Sequence, residues 1–188
     1  VNGRSYTYGE LNRLCSSVRA ILNAHQVKSG DRIGIFTEDD IFTYASVLGI
    51  LSCGGCYVPL NHDNPVERNR TIIADAGINL LLYSEKEDEA REVSVVSGSK
   101  CQPVNNRVAP SLDKLAPKDQ VHGDLCYLLF TSGTTGKPKG VPIYHSNLSA
   151  FLDMMLETGR YDFTPNDRFL QMFELTFDLS VFSFLVPL

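Results

Sequence analysis

The sequence predicts an α/β fold with layered, largely parallel sheets flanked by helices. Three observations carry this reading. Short apolar strand candidates alternate with helix-patterned stretches over residues 33 to 83, as in chains of strand–helix–strand units. The segment Leu80-Leu81-Leu82-Tyr83 is apolar throughout, as strands covered on both faces are. The 188 residues are 43% hydrophobic and 21% charged, an ordinary balance for a packed domain and a poor one for disorder.

The elements follow in order. Thr7 with Glu10 three residues on fits a capping box, and Leu11, Leu14, Cys15, Val18, Ile21 and Leu22 then recur at helical spacing. Ser29-Gly30-Asp31 is a turn, and Ile33 to Phe36 is a strand candidate. Ile41 to Leu51 reads as a helix buried nearly all round, because small and apolar residues surround it. Cys56 to Leu60 is the next strand candidate, expected to close at Pro59. Asn64-Pro65 is a helix start with Pro65 at the first helical position, and Gly77 is its stop. The charge run from Glu85 to Glu92 is a solvated helix or loop. Residues 97 to 120 are poor in apolar residues and read as a long irregular connection. Leu125 to Phe130 is a buried strand, Val141 to Tyr144 a short return strand, and a helix follows with Ser146 as its cap. Leu148, Phe151, Leu152 and Met155 share one face of that helix.

Charge and cysteines narrow the function. Lys and Arg number 17 against 22 Asp and Glu, for a net charge of −5, which argues against nucleic acid and anionic membranes as partners. No apolar run approaches the roughly 18 residues of a membrane span. Of the five cysteines, Cys53 and Cys56 form a C-x-x-C pair, but no second pair completes a zinc site. We read both as small packing residues, and the odd, unpatterned set as suited to a reducing cytoplasm. No residue is assigned as a metal ligand.

The chemistry concentrates in Thr131-Ser132-Gly133-Thr134-Thr135-Gly136-Lys137-Pro138-Lys139-Gly140. Glycines let successive backbone N–H groups face one anion. Hydroxyls add donors and lysines add charge that suits phosphate. The spacing is not that of the P-loop of nucleotide-hydrolysing enzymes, because two residues separate Gly133 from Gly136 and Pro138 follows Lys137. The loop is expected at a hairpin tip after a buried strand.

The run from Tyr127 to Gly140 closely resembles the signature of adenylate-forming enzymes, the superfamily of acyl-CoA synthetases, luciferases and the adenylation domains of nonribosomal peptide synthetases. Other matches occur in family order. Tyr6 to Leu11 resembles the first core motif, Leu51 to Leu60 the second, and Phe177-Asp178-Leu179-Ser180 the fourth. The resemblance implies the N-terminal portion of the family's large domain. It also implies the reaction: a carboxylate attacks the α-phosphorus of Mg2+-bound ATP, giving an acyl-adenylate and pyrophosphate. A thiol of coenzyme A or of a carrier protein's phosphopantetheine then takes the acyl group.

By that resemblance Thr131, Ser132, Gly133, Thr134, Thr135, Gly136 and Lys139 hold the β- and γ-phosphates, and Lys137 is a weaker candidate. Asp178 matches the position that pairs with the α-ammonium in amino-acid-activating members. A carboxylate buried among Phe177, Leu179, Val181 and Phe182 would need such a cation. Leu179 and Phe182 match positions lining the side-chain pocket. The implied partners are an amino acid and a carrier protein; an acyl- or aryl-CoA ligase and a non-catalytic nucleotide-binding module are the rival readings. Glu174 could face either substrate or solvent. His145 is expected to serve the start of its helix. The chain opens at Val1 without Met and stops at Leu188 within an apolar run. The later family motifs, including the catalytic lysine, do not occur in it. Residues 1–188 are therefore expected to be an incomplete N-terminal part of an adenylation domain, with no catalytic residue among them and no activity alone.

Overall fold

A computed structural model describes residues 1, 3–95, 97–105, 124–132, 137–156 and 161–188. Its centre is a six-stranded sheet built from β1 (Arg32–Thr37), β2 (Cys56–Asn61), β3 (Leu80–Tyr83), β4 (Lys100–Pro103), β5 (Leu125–Ser132) and β6 (Pro138–Tyr144). The strand order is β4-β3-β1-β2-β5-β6. All neighbours are parallel except β5 and β6, which form an antiparallel pair. The predicted layered, largely parallel α/β architecture is what the chain forms.

Helices cover both faces. The first face is packed by α1 (Tyr8–Ala24) and α2 (Ile41–Ser52). Val18, Ile21, Ala45 and Ile50 meet Ile33, Ile35, Leu82 and Leu129 there. On the other face lie α3 (Val66–Ala76) and α4 (Glu87–Ser94). Ile72, Ile73, Ala90 and Val93 meet Phe36, Val58, Leu60 and Leu81. Because neighbouring strand residues point to opposite faces, Ile35 and Phe36 belong to different cores. The central strands β1, β2 and β3 are therefore buried at nearly every position.

Local signals explain most boundaries. Thr7 and Glu10 make the full capping box of α1, and Asp40 accepts the Thr43 N–H to start α2. Gly77 ends α3 at φ 64°, a left-handed conformation that favours glycine. The crossing of α1 and α2 needs Gly49, because a Cβ there would lie 2.6 Å from Val18 Cγ1.

Several elements depart from the sequence expectation. Pro65 precedes the first turn of α3 in extended backbone (φ −51°, ψ 138°), so the helix starts at Val66. The helix after β6, α5 (His145–Leu156), begins one residue before Ser146. Its first turn is closed by Asn147 Oδ1, which accepts the Tyr144 N–H at 3.0 Å. The strand at Cys56 runs through Pro59 to Asn61. Within the stretch read as irregular, β4 pairs with β3. It is a four-residue edge strand with little apolar content, which leaves no alternation to read. The charge run, by contrast, takes one of its two expected forms: it is helix α4, which buries only Ala90, Val93 and Ser94. A last short helix, α6 (Leu179–Leu185), follows the fourth motif.

All five cysteines are free. Cys53 and Cys56 pack into cores on opposite faces of the sheet, as packing residues would. Burial pushes the Cys56 and Cys126 thiols up to about 12. His145 is buried at 8% exposure. Its backbone N–H donates to Asp124 O at 3.0 Å, which fits a role at the helix start.

Replacing Gly49 with Ala raises intrinsic helix propensity yet is expected to destabilise the chain by about 1–3 kcal/mol through overpacking. A urea titration checks this, and Val18→Ala in the same chain should recover much of the loss. Burial also holds the His145 imidazole below its ordinary 6.5, with Asp124 opposing. The unfolded chain therefore binds a proton that the folded chain resists. This contribution to stability is full above pH 6.5 and is lost as the pH falls below it. Urea midpoints at about pH 7.5 and about pH 5.5 should converge in His145→Asn relative to the parent chain.

Candidate functional site

The site lies at the carboxyl ends of β1, β2 and β5, where parallel α/β sheets place ligands. Its geometry starts from one residue pair. The parallel neighbours β2 and β5 share a single register pair, Tyr57 with Tyr127. Their rings stand 5.2 Å apart between centroids. Beyond this pair the strands part, and Pro59 brings no N–H to bridge them.

A cavity of about 450 Å³ fills the gap. Pro59 and Asn61 line it from β2, and Leu129, Phe130, Thr131 and Ser132 from β5. Arg68 of α3 and Glu174, Thr176 and Asp178 complete its polar wall. A second cavity of about 390 Å³ adjoins it and shares Tyr127, Ile143 and Asp178. Its wall is mainly apolar, from Leu148, Phe151 and Met155 of α5 and Leu179, Val181 and Phe182 of α6.

The sequence-derived site residues fall into place unevenly. Thr131 and Ser132 end β5 and line the first cavity. Lys139 is exposed on β6, directly across the ladder from Thr131, and does not line either cavity. Antiparallel register thus brings it to the base of the glycine-rich loop. Gly133, Thr134, Thr135 and Gly136 lie outside the described residues. The predicted hairpin is present in the pairing of β5 with β6. Asp178 sits between the two cavities, and Leu179 and Phe182 line the second.

One premise is corrected. Asp178 is exposed, not buried among its apolar neighbours. It immediately precedes α6 in helical backbone and makes no capping hydrogen bond. The short helix turns Val181 inward and leaves the position before it open to the cavities. The cost of an unpaired buried charge therefore says nothing about a cation partner here. The carboxylate instead carries an unpaired negative charge, among the described residues, at the junction of a polar and an apolar chamber.

Glu174 faces the first cavity. Its Oε2 accepts the Asn61 amide at 2.8 Å and the Thr176 hydroxyl at 3.2 Å, tying the segment before α6 to the end of β2. Burial first, then the thiol of Cys126 and the charge of Asp178, pushes the Tyr127 phenol up to about 12, so it stays a neutral donor. A smaller cavity of about 250 Å³ shares Asn61 and Glu174 and holds Glu38 and His62. Burial raises the Glu38 carboxyl against the opposing pull of His62. Sequence reasoning missed Asn61, Arg68 and Tyr127 as cavity residues. Each lies within an ordinary strand or helix pattern, and only the parting of β2 from β5 gives them a common space.

This arrangement can hold an elongated polar ligand in the gap and an apolar group in the adjoining chamber. The whole chain, residues 1–188, matches the AMP-binding enzyme family. It is 34% identical over 179 residues to the hybrid PKS-NRPS synthetase LUC5 of a Fusarium species, covering 95% of this chain and 4% of that protein. Among solved structures, the nonribosomal peptide synthetase FmoA3 in its α-methyl-L-serine-AMP bound form superposes with a TM-score of 0.82 at 29% identity, over 98% of this chain and 20% of that one. ATP-bound MatB from Rhodopseudomonas palustris gives 0.79 at 26% identity, over 97% and 38% respectively. This chain thus spans well under half the length of each of these three proteins. Matched by the family along all 188 residues, it belongs to the AMP-binding enzyme family.

Proposed function

We propose that these residues form the phosphate-binding part and one wall of the substrate pocket of an amino-acid adenylation domain. The observation that carries the reading is the unpaired Asp178 carboxylate at the junction of the two cavities. The polar chamber beside Thr131 and Ser132 suits the triphosphate of ATP, and the apolar chamber suits a side chain. Between them a carboxylate can meet an α-ammonium.

In this reading the substrate carboxylate oxygen attacks the α-phosphorus. The bond from α-phosphorus to the bridging oxygen breaks, and pyrophosphate leaves with that oxygen. Thr131, Ser132, Gly133, Thr134, Thr135, Gly136 and Lys139 hold the β- and γ-phosphates. They act by alignment and by meeting charge as it builds on the leaving group. Mg2+ bound with ATP would supply further neutralisation of phosphate charge. Asp178 orients the amino acid through its ammonium, and Leu179 and Phe182 contact its side chain. The aminoacyl group then passes to the phosphopantetheine thiol of a carrier protein, whose sulfur attacks the carbonyl and releases AMP. The similarity to a hybrid PKS-NRPS synthetase and to an amino-acyl-AMP-bound peptide synthetase supports an amino acid and a carrier protein over coenzyme A. Five free cysteines support a reducing, cytoplasmic setting. No described helix is long and apolar enough to cross a membrane.

The chain alone is expected to bind ligands without turnover, because it covers 38% of MatB and less of the synthetases. Steady acyl-hydroxamate formation by the purified chain would refute that. ATP–pyrophosphate exchange by the protein carrying these residues tests the main reading. Exchange should proceed with amino acids and not with the same acids lacking the amine. Asp178→Asn should lower amino-acid-dependent exchange by roughly ten- to a hundredfold, the effect of losing a charge-assisted contact. Exchange with amine-free acids alone would sink the assignment.

A further inference from the structure

Among the described residues that line the polar cavity, Arg68 is the one cation. It stands in the first turn of α3 and is half-buried. The next arginine of the helix has partners within the fold: Arg70 pairs with Glu67 and donates Nη2 to Glu92 O at 3.1 Å, leaving only its Nε unpartnered. The Arg68 side chain forms no hydrogen bond or ion pair among the described residues; its backbone N–H donates to Pro65 O at 2.9 Å. Two carboxylates share its cavity, and neither pairs with it. Glu174 is occupied by Asn61 and Thr176, and Asp178 stands at the start of α6.

Its place is fixed by the residue beside it. Asn69 is 1% exposed. Its amide donates to Asn61 O at 2.8 Å and its Oδ1 accepts from Asn64 at 3.3 Å. These bonds tie the first turn of α3 to the end of β2, which forms the opposite side of the gap from Thr131 and Ser132. A guanidinium has five donors and no acceptor. Held half-buried without a partner, it retains a desolvation cost that a bound anion would remove. Its planar fork matches phosphate oxygens better than an ammonium does.

We infer that Arg68 is an anion-binding residue that grips non-bridging triphosphate oxygens across the gap from the Thr131 and Ser132 hydroxyls. This rests on the reading that the cavity takes ATP. It adds a cation from α3 to a site whose signature lysines lie on the β6 side of the loop. A substrate carboxylate would satisfy the same guanidinium, and the experiment separates the two.

The test titrates the purified chain with inorganic tripolyphosphate, ATP, AMP and acetate, comparing the parent with Arg68→Gln and Arg68→Lys at matched ionic strength. Arg68→Gln should weaken tripolyphosphate and ATP binding by roughly ten- to a hundredfold, with AMP little changed. Arg68→Lys should fall between, since it keeps the charge and loses the fork. Urea midpoints establish that each variant is folded. Should Arg68→Gln not fold, the comparison of parent with Arg68→Lys decides. Equal tripolyphosphate affinity in parent and variants overturns the proposal, as does a parent that binds no tripolyphosphate or a loss confined to acetate. ATP binding that is absent while tripolyphosphate binding still depends on Arg68 would defeat the nucleotide reading and leave the anion site standing. ATP binding that is equal in all three proteins would leave that reading and remove Arg68 from it.

Discussion

A single register pair, Tyr57 with Tyr127, joins the central parallel strands to the hairpin that bears the glycine-rich loop. The other parallel neighbours in this sheet pair over at least three positions, and β1 with β2 over six. Beyond the two tyrosines, β2 and β5 part and open the cavity between Pro59, Asn61, Thr131 and Ser132. The ring contact and the deep burial of Tyr57 set where the parting begins. A longer ladder would close the gap, and a shorter one would detach the hairpin from the core.

Packing on the two faces holds the walls of that gap. The second-face core keeps α3 against the sheet through Ile72, Ile73 and Ala76, and Asn69 ties its first turn to Asn61. The close approach at Gly49 lets α1 lie against α2, which brace the first face. The outer strand β6 carries Pro138 and Pro142, which remove donors from an exposed edge and discourage pairing with other chains. A buried sheet thus supplies rigidity, and the ends of its strands supply chemistry. In the proposed reading, alignment of a triphosphate would depend on that division, since small displacements of positioned groups are costly to rate.

Much of the fold was legible because its signals are local. The capping box at Thr7, the left-handed stop at Gly77 and the apolar run at Leu80 each declare an element within a few residues. Misses fell where local signals are weak or compete. β4 is a short polar edge strand recognisable only by its pairing with β3. Pro59 reads as a strand terminator, yet the chain continues because β1 still pairs with it. Asp178 reads as buried from its apolar neighbours. The short helix α6 turns Val181 inward but leaves Phe177 and Leu179 exposed, and the carboxylate between them is exposed as well.

The sequence by itself determined the class of chemistry. Glycines, hydroxyls and lysines concentrated in ten consecutive residues can cradle phosphate because backbone donors and side chains act over short range. Their identity, with the motifs before and after, is enough to mark the family. Tertiary structure alone decided what shares a space with that loop. Arg68, Asn61, Glu174 and Asp178 come from separate parts of the chain and meet at one cavity. No periodicity records their meeting, because it follows from where two strands stop pairing.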